Sequence, residues 1–324
     1  MRTVMNAAVV HSFSAPPRYD SFADPVPAGE EVLVNVSAAG LHAIVKSIAA
    51  GTHYIRPDEM PFIPGIDGVG RLPDGSRVYF ARSRPVYGTL AERSLTQRAT
   101  CFPIPENLDD VMVAAMMNPG MSSWGALTER TRLAKGESIL ILGATGVSGQ
   151  LAVQVARRLG ARRVVAAGRN PQALEESRGL GADRVISLAQ DRAALVAAFR
   201  EAIAEEKIDV VLDYLWGAPA EAALEAMTQR GANHGSARIR YVQVGSSAGP
   251  TAAVPAESLR SSALEIMGSG FGSVPIDRIL HSLGTFLQEA GRQPFQIRTR
   301  VAPLAQVELL WNAPEQGVRM VFQP

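Results

Sequence analysis

Hydrophobic and polar positions divide the chain into two parts of different texture. Before about residue 108, short apolar runs such as EEVLVNVSAAG and GVGRLPDGSRVYF are separated by turns rich in proline and glycine, and no long helical period appears. This pattern predicts a compact domain of several short β-strands. Near Met116 the texture changes, and longer helical patterns begin.

Through the middle of the chain, apolar runs alternate with helical patterns. In LAVQVARRLG, for example, Leu151, Val155 and Leu159 are spaced four apart and lie on one helical face. Such alternation predicts right-handed β–α–β crossovers and a parallel sheet. The predicted strands cover residues 139–142, 163–167, 184–188, 209–213, 239–244 and 264–268.

The C-terminal segment begins with the helical pattern IDRILHSLGTFLQEAG and ends with the β-type runs FQIRTRVAP and VRMVFQP. We expect it to return to the first, β-rich domain. The sequence thus predicts two domains, as the length of 324 residues also favours. The first covers residues 1–118 and is completed by 272–324, and the second covers residues 119–271.

The first strand of the predicted parallel sheet runs directly into a glycine-rich turn, ILILGATGVSGQ. Glycine permits the positive φ of a sharp turn and leaves no Cβ between backbone N–H groups and a phosphate. The helix that follows offers its free N–H groups and the positive end of its dipole, and Ser148 is expected to help cap it. A strand before the turn and a helix after it favour a dinucleotide site over three unrelated glycines. The predicted contacts are Gly143, Ala144, Thr145, Gly146, Val147, Ser148 and Gly149.

The end of the second strand indicates which dinucleotide binds. NAD sites place an acidic residue there, about 20 residues after the last glycine, to bind the ribose 2′-hydroxyl. Here the residues are Gly168, Arg169 and Asn170. An arginine can pair with a 2′-phosphate, which a carboxylate would repel, so we predict NADPH. The alternative is an exposed loop arginine without a ligand.

Two further strand ends extend the predicted cofactor site. In a doubly wound sheet, the ligand lies outside the carboxyl ends of the strands. The fifth and sixth predicted strands end close to a run of small residues and one aromatic residue. The additional predicted contacts are Gly245, Ser246, Ser247, Ser269, Gly270 and Phe271.

Composition and charge narrow the class of protein. Apolar residues make up 47% and charged residues 19%, as in globular chains, and the net charge is +1. No basic block favours nucleic acid or an anionic membrane surface, and no apolar run approaches the ~20 residues of a membrane helix. The one cysteine, Cys101, rules out an intrachain disulfide and a multi-cysteine zinc site. The N-terminal residues show no signal-peptide pattern, so we expect a cytoplasmic protein.

The order of these parts resembles the medium-chain dehydrogenase/reductase superfamily. AAGLHAIVKSIAAGTHY is similar to the first active-site segment of that superfamily, and PFIPGIDGVGRL is similar to its P-x-x-P-G-x-[ED]-x-x-G loop. The resemblance implies an α/β fold with a GroES-like β-rich catalytic domain and a Rossmann doubly wound parallel sheet. The GATG of the turn also occurs in short-chain reductases, but there it opens the chain and accompanies a Tyr-x-x-x-Lys pair, which this sequence lacks.

The zinc ligands of the alcohol dehydrogenases in this superfamily are not matched. By the resemblance, their first cysteine position is His42, and their histidine position is Ile66, followed by Asp67. Their further cysteine position is Asn118 or a close neighbour. Zinc needs three or four N, S or O ligands, and His42 with Asp67 falls short. The resemblance therefore implies the zinc-free quinone oxidoreductase and enoyl reductase branch, which uses NADPH.

Without a metal, the candidate catalytic groups are few. The resemblance places His42 near the nicotinamide, where it either donates a hydrogen bond or proton, or only packs locally. Tyr54 is a second candidate donor, or else a plain aromatic wall, and Asn118 is a candidate contact of the cofactor amide.

The expected function is metal-independent transfer of a hydride from NADPH to a quinone or an α,β-unsaturated carbonyl. Two alternatives remain open, namely a non-catalytic NADPH-binding sensor or structural protein and a zinc-type alcohol dehydrogenase. Relatives commonly form dimers through edge strands. The resemblance therefore also implies a homodimer joined at ALEIMGSGF, a short and apolar edge strand.

Overall fold

The computed structural model describes residues 3–228, 237–315 and 317–324. Its strands are β1 (Val4–Val9), β2 (Arg18–Ala23), β3 (Glu31–Gly40), β4 (Asp67–Arg71), β5 (Arg77–Ala81), β6 (Arg93–Gln97), β7 (Cys101–Pro103), β8 (Ser138–Leu142), β9 (Arg163–Gly168), β10 (Arg184–Ser187), β11 (Val210–Asp213), β12 (Ile239–Gln243), β13 (Leu264–Gly268), β14 (Arg298–Pro303) and β15 (Val318–Gln323). Its α-helices are α1 (Ala43–Ala49), α2 (Asp110–Gly125), α3 (Val147–Arg158), α4 (Pro171–Gly179), α5 (Arg192–Glu206), α6 (Gly217–Met227), α7 (Ala256–Arg260), α8 (Ile276–Arg292) and α9 (Val307–Leu310). Across these three ranges, no helix has the length and apolar character needed to cross a lipid bilayer.

The chain forms two compact units whose boundaries fall inside helices α2 and α8. Unit 1 comprises the described residues up to Asn118 together with Leu283–Pro324, and unit 2 comprises the described residues of Pro119–Ser282. The return to unit 1 therefore begins part-way along α8 rather than at residue 272. The reason is the placement of the buried apolar residues of α8, because Leu283, Phe286 and Leu287 lie from the middle of the helix onward.

Unit 2 is a parallel sheet of six strands in the order β10-β9-β8-β11-β12-β13. The strand order reverses between β8 and β11, as in the doubly wound fold that the sequence predicted. Every residue of β8 is buried, which fits a sheet covered by helices on both faces. Each of the six predicted strands is present, with ends that differ from the prediction by one residue at most.

Helix α3 packs on this sheet through small and apolar side chains. Leu151, Ala152, Val155 and Ala156 are all buried. Burial of the leucine and the valine contributes about 1.5–3 kcal/mol each. The two alanines let the helix backbone approach the sheet closely, so that its N-terminus starts directly after the turn that follows β8.

Unit 1 is β-rich, as predicted. Six strands run in the order β14-β15-β3-β4-β5-β7, β6 pairs with β3 beside them, and β1 and β2 form a separate antiparallel pair. The C-terminal strand β15 pairs with β3, so the end of the chain completes this unit. Its core contains the fully buried rings of Phe62, Phe80 and Phe322. Helix α1 has only seven residues, too few for a helical period to be visible in the sequence.

Candidate cofactor site and active site

The turn between β8 and α3, residues 143–149, is called the glycine turn below. Gly143 has a φ of +88°, a conformation in which a side chain would be strained. The N–H groups of Gly143 and Ala144 both donate to the carbonyl oxygen of Ala167 on β9, with N···O distances of 2.9 Å. These bonds fix the start of the turn to the neighbouring strand.

Close packing requires glycine at Gly149 and Gly168, whereas the space beside Gly146 is open. A Cβ added to Gly149 would lie 2.2 Å from the Gly143 carbonyl oxygen, and one added to Gly168 would lie 2.3 Å from Thr145 Cγ2. No side chain fits at either position. Gly146 differs, because it is exposed and the nearest atom to an added Cβ is 3.7 Å away. The backbone at Gly146 is therefore accessible to a ligand.

The first turn of α3 offers backbone N–H groups at this accessible point. The first hydrogen bond within the helix runs from the Gln150 N–H to the Gly146 carbonyl oxygen, at 2.9 Å. The N–H groups of Val147, Ser148 and Gly149 precede that bond and have no partner inside the helix. The expected capping role of Ser148 is wrong, because the N-cap is Gly146, which has no side chain, and Ser148 lies within the helix. Free N–H groups at a helix N-terminus fit a phosphate.

The end of β9 presents Arg169 to solvent. Its guanidinium makes no ion pair or hydrogen bond with any residue that the structure describes, and the side chain is exposed. The neighbouring Asn170 is the N-cap of α4, and its Oδ1 accepts a hydrogen bond from the Ala173 N–H at 3.1 Å. Neither Arg169 nor Asn170, the two residues that follow β9, carries a carboxylate. The donors present therefore fit an anion on the ribose better than a free 2′-hydroxyl.

The predicted contacts after β12 form a turn attached to the end of β11. The N–H groups of Val244 and Gly245 both donate to the Asp213 carbonyl oxygen, at 2.7 and 3.1 Å. The Ser247 hydroxyl donates to the Tyr214 carbonyl oxygen at 3.0 Å. Ser246, between them, is exposed. The strand ends of β11 and β12 are thus held together.

After β13, the predicted contacts form a short turn closed by a serine. The Gly270 N–H donates to the Ser273 hydroxyl oxygen, and the Ser269 N–H donates to the Gln243 carbonyl oxygen, both at 2.8 Å. Phe271 is exposed. The structure therefore brings all the predicted contacts of unit 2 to the carboxyl edge of one sheet.

A buried carboxylate at the end of β11 was missed by the sequence analysis. The fully buried Asp213 accepts hydrogen bonds from the N–H groups of Leu215 (2.7 Å) and Trp216 (3.1 Å) and from the Tyr241 hydroxyl (2.7 Å). Burial raises the pKa of Asp213, and these donors act against the increase. The available signal was an aspartate that ends the apolar run VVLD, where a charge needs partners.

Trp216, which Asp213 holds, has a backbone conformation that is rare for any residue except glycine. Its φ is 56° and its ψ is −159°. A non-glycine residue in this region costs on the order of 1–3 kcal/mol and persists only where surrounding contacts enforce it. The hydrogen bonds of Asp213 are contacts of that kind.

In unit 1, His42 belongs to a buried polar cluster formed by His42, Asp67, Tyr79 and Arg319. His42 Nε2 is 3.6 Å from Asp67 Oδ1, and the Tyr79 hydroxyl donates to Asp67 Oδ2 at 3.1 Å. Arg319 donates to the Leu41 carbonyl oxygen at 2.6 Å. Neither ring nitrogen of His42, nor Asp67 Oδ1, nor Arg319 Nε has a hydrogen-bond partner of good geometry in the described part of the chain. Sequence analysis missed Arg319, because it lies in the apolar strand β15 and no local pattern marks it.

Burial dominates the electrostatics of this polar cluster. It lowers the pKa of His42 well below its ordinary value, and the Arg319 guanidinium lowers it further, while the Ala114 carbonyl acts in the opposite direction. Burial also raises the pKa of Asp67 to about 7, against the effects of the Tyr79 hydroxyl and Arg319. The imidazole is therefore neutral at neutral pH.

The two predicted catalytic side chains lie in different environments. His42 is 1% exposed and precedes α1, whereas Tyr54 follows α1 and is 72% exposed. The Tyr54 ring stacks on that of His53, with centroids 4.2 Å apart. Asn118 lies half-buried within α2.

The residues at the expected zinc positions do not fit a catalytic zinc site. His42 and Asp67 provide two potential ligands, but Ile66 has no donor atom and Asn118 is a weak one. Across the described ranges, no three His, Cys, Asp or Glu side chains are grouped closely enough to hold a metal. His234 lies outside the described residues. No chemical step is therefore assigned to a metal.

Comparison with known proteins finds one family that matches most of unit 2 and relatives that are similar over both units. The family described as "Zinc-binding dehydrogenase" matches residues 148–285, a range that contains none of the expected zinc positions. The chain is 30% identical to the "Probable NADPH-dependent quinone reductase tdiC" of Emericella nidulans, over 99% of this chain and 100% of that protein. It is also 30% identical to the quinone oxidoreductase of Rattus norvegicus, over 65% of this chain and 67% of that protein.

A solved structure extends the similarity to the whole fold. The quinone oxidoreductase of Thermus thermophilus, which was also solved in complex with NADPH, is 26% identical and has a TM-score of 0.81. The alignment covers 99% of this chain and 100% of that one. The chain therefore belongs to the medium-chain dehydrogenase/reductase superfamily and, within it, to the quinone oxidoreductase branch.

Proposed function

We propose that the protein is an NADPH-dependent quinone oxidoreductase that works without a metal. The observation that carries the proposal is the accessible glycine turn beside an unpaired arginine, at the strand end where NAD-binding sheets have a carboxylate. The relatives named as quinone reductases support the substrate class. α,β-Unsaturated carbonyls are a second acceptor class with similar chemistry.

The cofactor would be held at the carboxyl edge of the unit 2 sheet. The N–H groups at Gly146 and the first turn of α3 would bind the pyrophosphate, and Arg169 would pair with the 2′-phosphate. Asn170 would support Arg169 by fixing the start of α4. The strand ends at Gly245 and Ser269 would border the nicotinamide half.

The reaction is a two-electron reduction. NADPH supplies a hydride when bound, a quinone accepts it, and one proton from solvent completes the hydroquinone while NADP⁺ is formed. A quinone spreads the developing negative charge over its conjugated ring, so it needs less electrostatic help than a simple ketone. The protein's contribution is to hold the reacting atoms about 3–3.5 Å apart and to exclude water.

A hydrogen-bond donor near the acceptor oxygen would add to the rate. We propose Tyr54 for this role, because its side chain is accessible and its ring stacks on that of His53, in the segment that follows α1. The burial of His42 favours the local packing role that the sequence analysis left open for it. Tyr54→Phe distinguishes a hydrogen-bond donor from a plain aromatic wall at this position. Loss of a donor should lower kcat while binding of NADPH is retained.

NADPH consumption with a panel of acceptors tests the function. We expect oxidation of NADPH with 9,10-phenanthrenequinone and 1,4-naphthoquinone, slower oxidation with a small enone, and much weaker activity with NADH. Chelator treatment should leave the rate unchanged. Saturable NADPH binding with no oxidation across the panel would instead support a sensor or structural role, and stoichiometric zinc in active protein would support an alcohol dehydrogenase.

A homodimer joined at β13 is a further part of the proposal. β13 pairs with β12 on one side only, and within the described residues no other strand pairs with its second edge. An unpaired edge is a template for pairing with another strand. Size-exclusion chromatography with light scattering checks this, and a monomer at micromolar concentration would contradict it. The cytoplasmic location remains a prediction, which cell fractionation would test.

A further inference from the structure

Unit 2 contains a groove of about 420 Å³ at the carboxyl ends of β12 and β13. Part of its lining is apolar, from Trp216, Pro250, Ile266 and Met267. Its polar lining comes from Gln243 and Ser246. The Gln243 amide nitrogen donates to the Gly245 carbonyl oxygen at 3.0 Å. Among the described residues, neither the Gln243 amide oxygen nor the Ser246 hydroxyl has a hydrogen-bond partner.

The position of the groove on the sheet restricts what it can bind. Doubly wound sheets consist of two halves, each of which binds one mononucleotide, on either side of the reversal in strand order. The glycine turn and Arg169 belong to the half made of β8, β9 and β10, and the groove belongs to the half made of β11, β12 and β13. The groove therefore lies in the half of the sheet that would bind the nicotinamide end of NADPH, where the redox chemistry takes place, and not in the half that would bind the adenosine end.

The indole of Trp216 is held in the groove wall by its strained backbone. The Asp213 carboxylate accepts hydrogen bonds from the N–H groups of Leu215 and Trp216. It also accepts one from the Tyr241 hydroxyl. The Trp216 and Tyr241 rings meet edge to face, with centroids 6.4 Å apart. A flexible turn would not need a buried carboxylate and a tyrosine to keep a tryptophan at a positive φ.

We propose that Trp216 is a specificity-determining residue that stacks on an electron-poor, carbonyl-bearing ring in this groove, and that Asp213 and Tyr241 are its positioning residues. An indole is the most electron-rich of the protein rings and favours such a partner. The ring belongs either to the nicotinamide of the cofactor or to the quinone. The Ser246 hydroxyl can donate to its carbonyl oxygen, and the Gln243 amide oxygen can accept from a carboxamide. This inference rests on the proposed function.

Tryptophan fluorescence of the full-length protein tests the stacking. The probes are NADP⁺, which has the nicotinamide, 2′,5′-ADP, which lacks it, and 1,4-naphthoquinone. We expect saturable quenching by NADP⁺, by the quinone in the presence of NADP⁺, or by both, and none by 2′,5′-ADP. The quenching should disappear in Trp216→Phe and persist in Trp311→Phe, which alters a buried tryptophan of the unit 1 core.

Kinetics with a second set of variants test specificity and positioning. Loss of a stacking ring in Trp216→Leu should raise the Kd of NADP⁺, if NADP⁺ quenches, or the KM of the quinone, if the quinone quenches, by about 10-fold, and Trp216→Phe should raise it less. Tyr241→Phe keeps the ring but removes the O–H donor to Asp213, so it should raise the same constant by a smaller factor. The affinity for 2′,5′-ADP should stay unchanged in all three variants, which a general loss of fold would not allow.

The two sources of the ring give different results. Quenching by NADP⁺ alone identifies the nicotinamide, and quenching that requires the quinone identifies the acceptor. The inference is overturned if the quenching survives in Trp216→Phe or if Trp216→Leu keeps the wild-type Kd of NADP⁺ and the wild-type KM of the quinone. If the protein binds 2′,5′-ADP and oxidises NADPH but shows either of these results, only this inference is contradicted. If it neither binds 2′,5′-ADP nor oxidises NADPH, the proposed function is contradicted as well.

Discussion

In unit 2, the glycine turn presents backbone N–H groups at an exposed glycine. In unit 1, the polar cluster around His42 encloses titratable side chains, and several of their atoms have no hydrogen-bond partner among the described residues. The glycine turn is one short segment between a strand and a helix, whereas the polar cluster joins residues from three strands to the residue that precedes α1. In the first region, the polar groups belong to the main chain and face outward. In the second, they belong to side chains and face one another.

The difference indicates that the glycine turn is accessible to a ligand, whereas the polar cluster is buried. Backbone N–H groups at a helix start bind a phosphate without any change in protonation, so the glycine turn is ready at any pH. His42 and Asp67 respond to pH instead, because burial moves their pKa values in opposite directions. Changes in the glycine turn should therefore affect cofactor binding, and changes in the polar cluster should affect how stability depends on pH.

The largest effect is expected from side chains added to the glycine turn. Gly149→Val places a Cβ 2.2 Å from the Gly143 carbonyl oxygen, so we expect loss of NADPH binding by more than about 100-fold and destabilisation of about 3 kcal/mol. Gly146→Ala adds a Cβ into open space at a φ of −81°. Its stability should fall by only about 1 kcal/mol, because alanine is a poorer N-cap than glycine, while the phosphate is displaced and binding weakens. Calorimetry and denaturant unfolding measure both quantities.

Gly179→Ala is the matched control for these two variants. Gly179 ends helix α4, and an added Cβ there meets no atom within 4 Å. It should keep NADPH affinity and gain up to about 1 kcal/mol of stability from the better helix former. Normal NADPH binding in Gly146→Ala would mean that the phosphate does not approach this turn.

The contrast between the two regions also explains what could be predicted from the sequence. The six strands of unit 2 were predicted to within one residue, because parallel strands covered on both faces are continuous apolar runs between helical patterns. The glycine turn was predicted because its spacing reflects backbone geometry, as at Gly143 and Gly149. The position of Arg169 at the end of β9 was predicted from its distance along the chain to that turn, and its role in recognising the cofactor stays a prediction.

Contacts between distant side chains could not be predicted in the same way. Arg319 joins the polar cluster from the C-terminal strand β15, and Tyr241 reaches Asp213 from a different strand. Nothing in the local pattern of either residue indicates its partner. Ser148 shows a related failure, because serine near a helix start suggests a cap until the exact first residue of the helix is known.

The next effect in size concerns the pH dependence of stability. His42 has a lowered pKa, so the stability that it contributes is present above about pH 6.5 and is lost on acidification. Asp67 has a raised pKa of about 7, so its contribution is present at low pH and is lost as the pH rises through 7. Between about pH 4 and 6.5 the two slopes oppose each other. Asp67→Asn should make stability rise with pH in this range, and His42→Asn should make it fall, each by up to ~1.4 kcal/mol per pH unit relative to wild type.

Denaturant unfolding at a series of pH values measures these slopes. His11→Asn is the control, because the exposed pair of His11 and Asp20 contributes little to stability. Parallel pH profiles for wild type, Asp67→Asn and His42→Asn would contradict the account of the polar cluster. Binding of 2′,5′-ADP should not differ among these variants, which would keep this region separate from the glycine turn.

A smaller effect is expected from Arg169, the residue that we propose to select the cofactor. Arg169→Ala should weaken NADPH binding by about 10-fold, the loss of one charge-assisted contact, and leave NADH binding unchanged. Arg200→Ala removes another exposed arginine, on helix α5, and serves as the control. The kcat/KM values for NADPH and NADH measure the preference. An equal loss for both cofactors would show that Arg169 does not recognise the 2′-phosphate.

The smallest effect concerns Asn170, which the sequence analysis placed among the cofactor contacts. In the structure, its Oδ1 caps helix α4 through the Ala173 N–H, as Asp191 caps helix α5 through the Ala194 N–H. Asn170→Ala and Asp191→Ala should each cost about 1 kcal/mol in stability, measured by denaturant unfolding. If Asn170 acts only as a cap, the affinity for 2′,5′-ADP should be the same in both variants. A selective loss of affinity in Asn170→Ala would instead make this side chain part of the cofactor site, since loss of a helix cap is common to both.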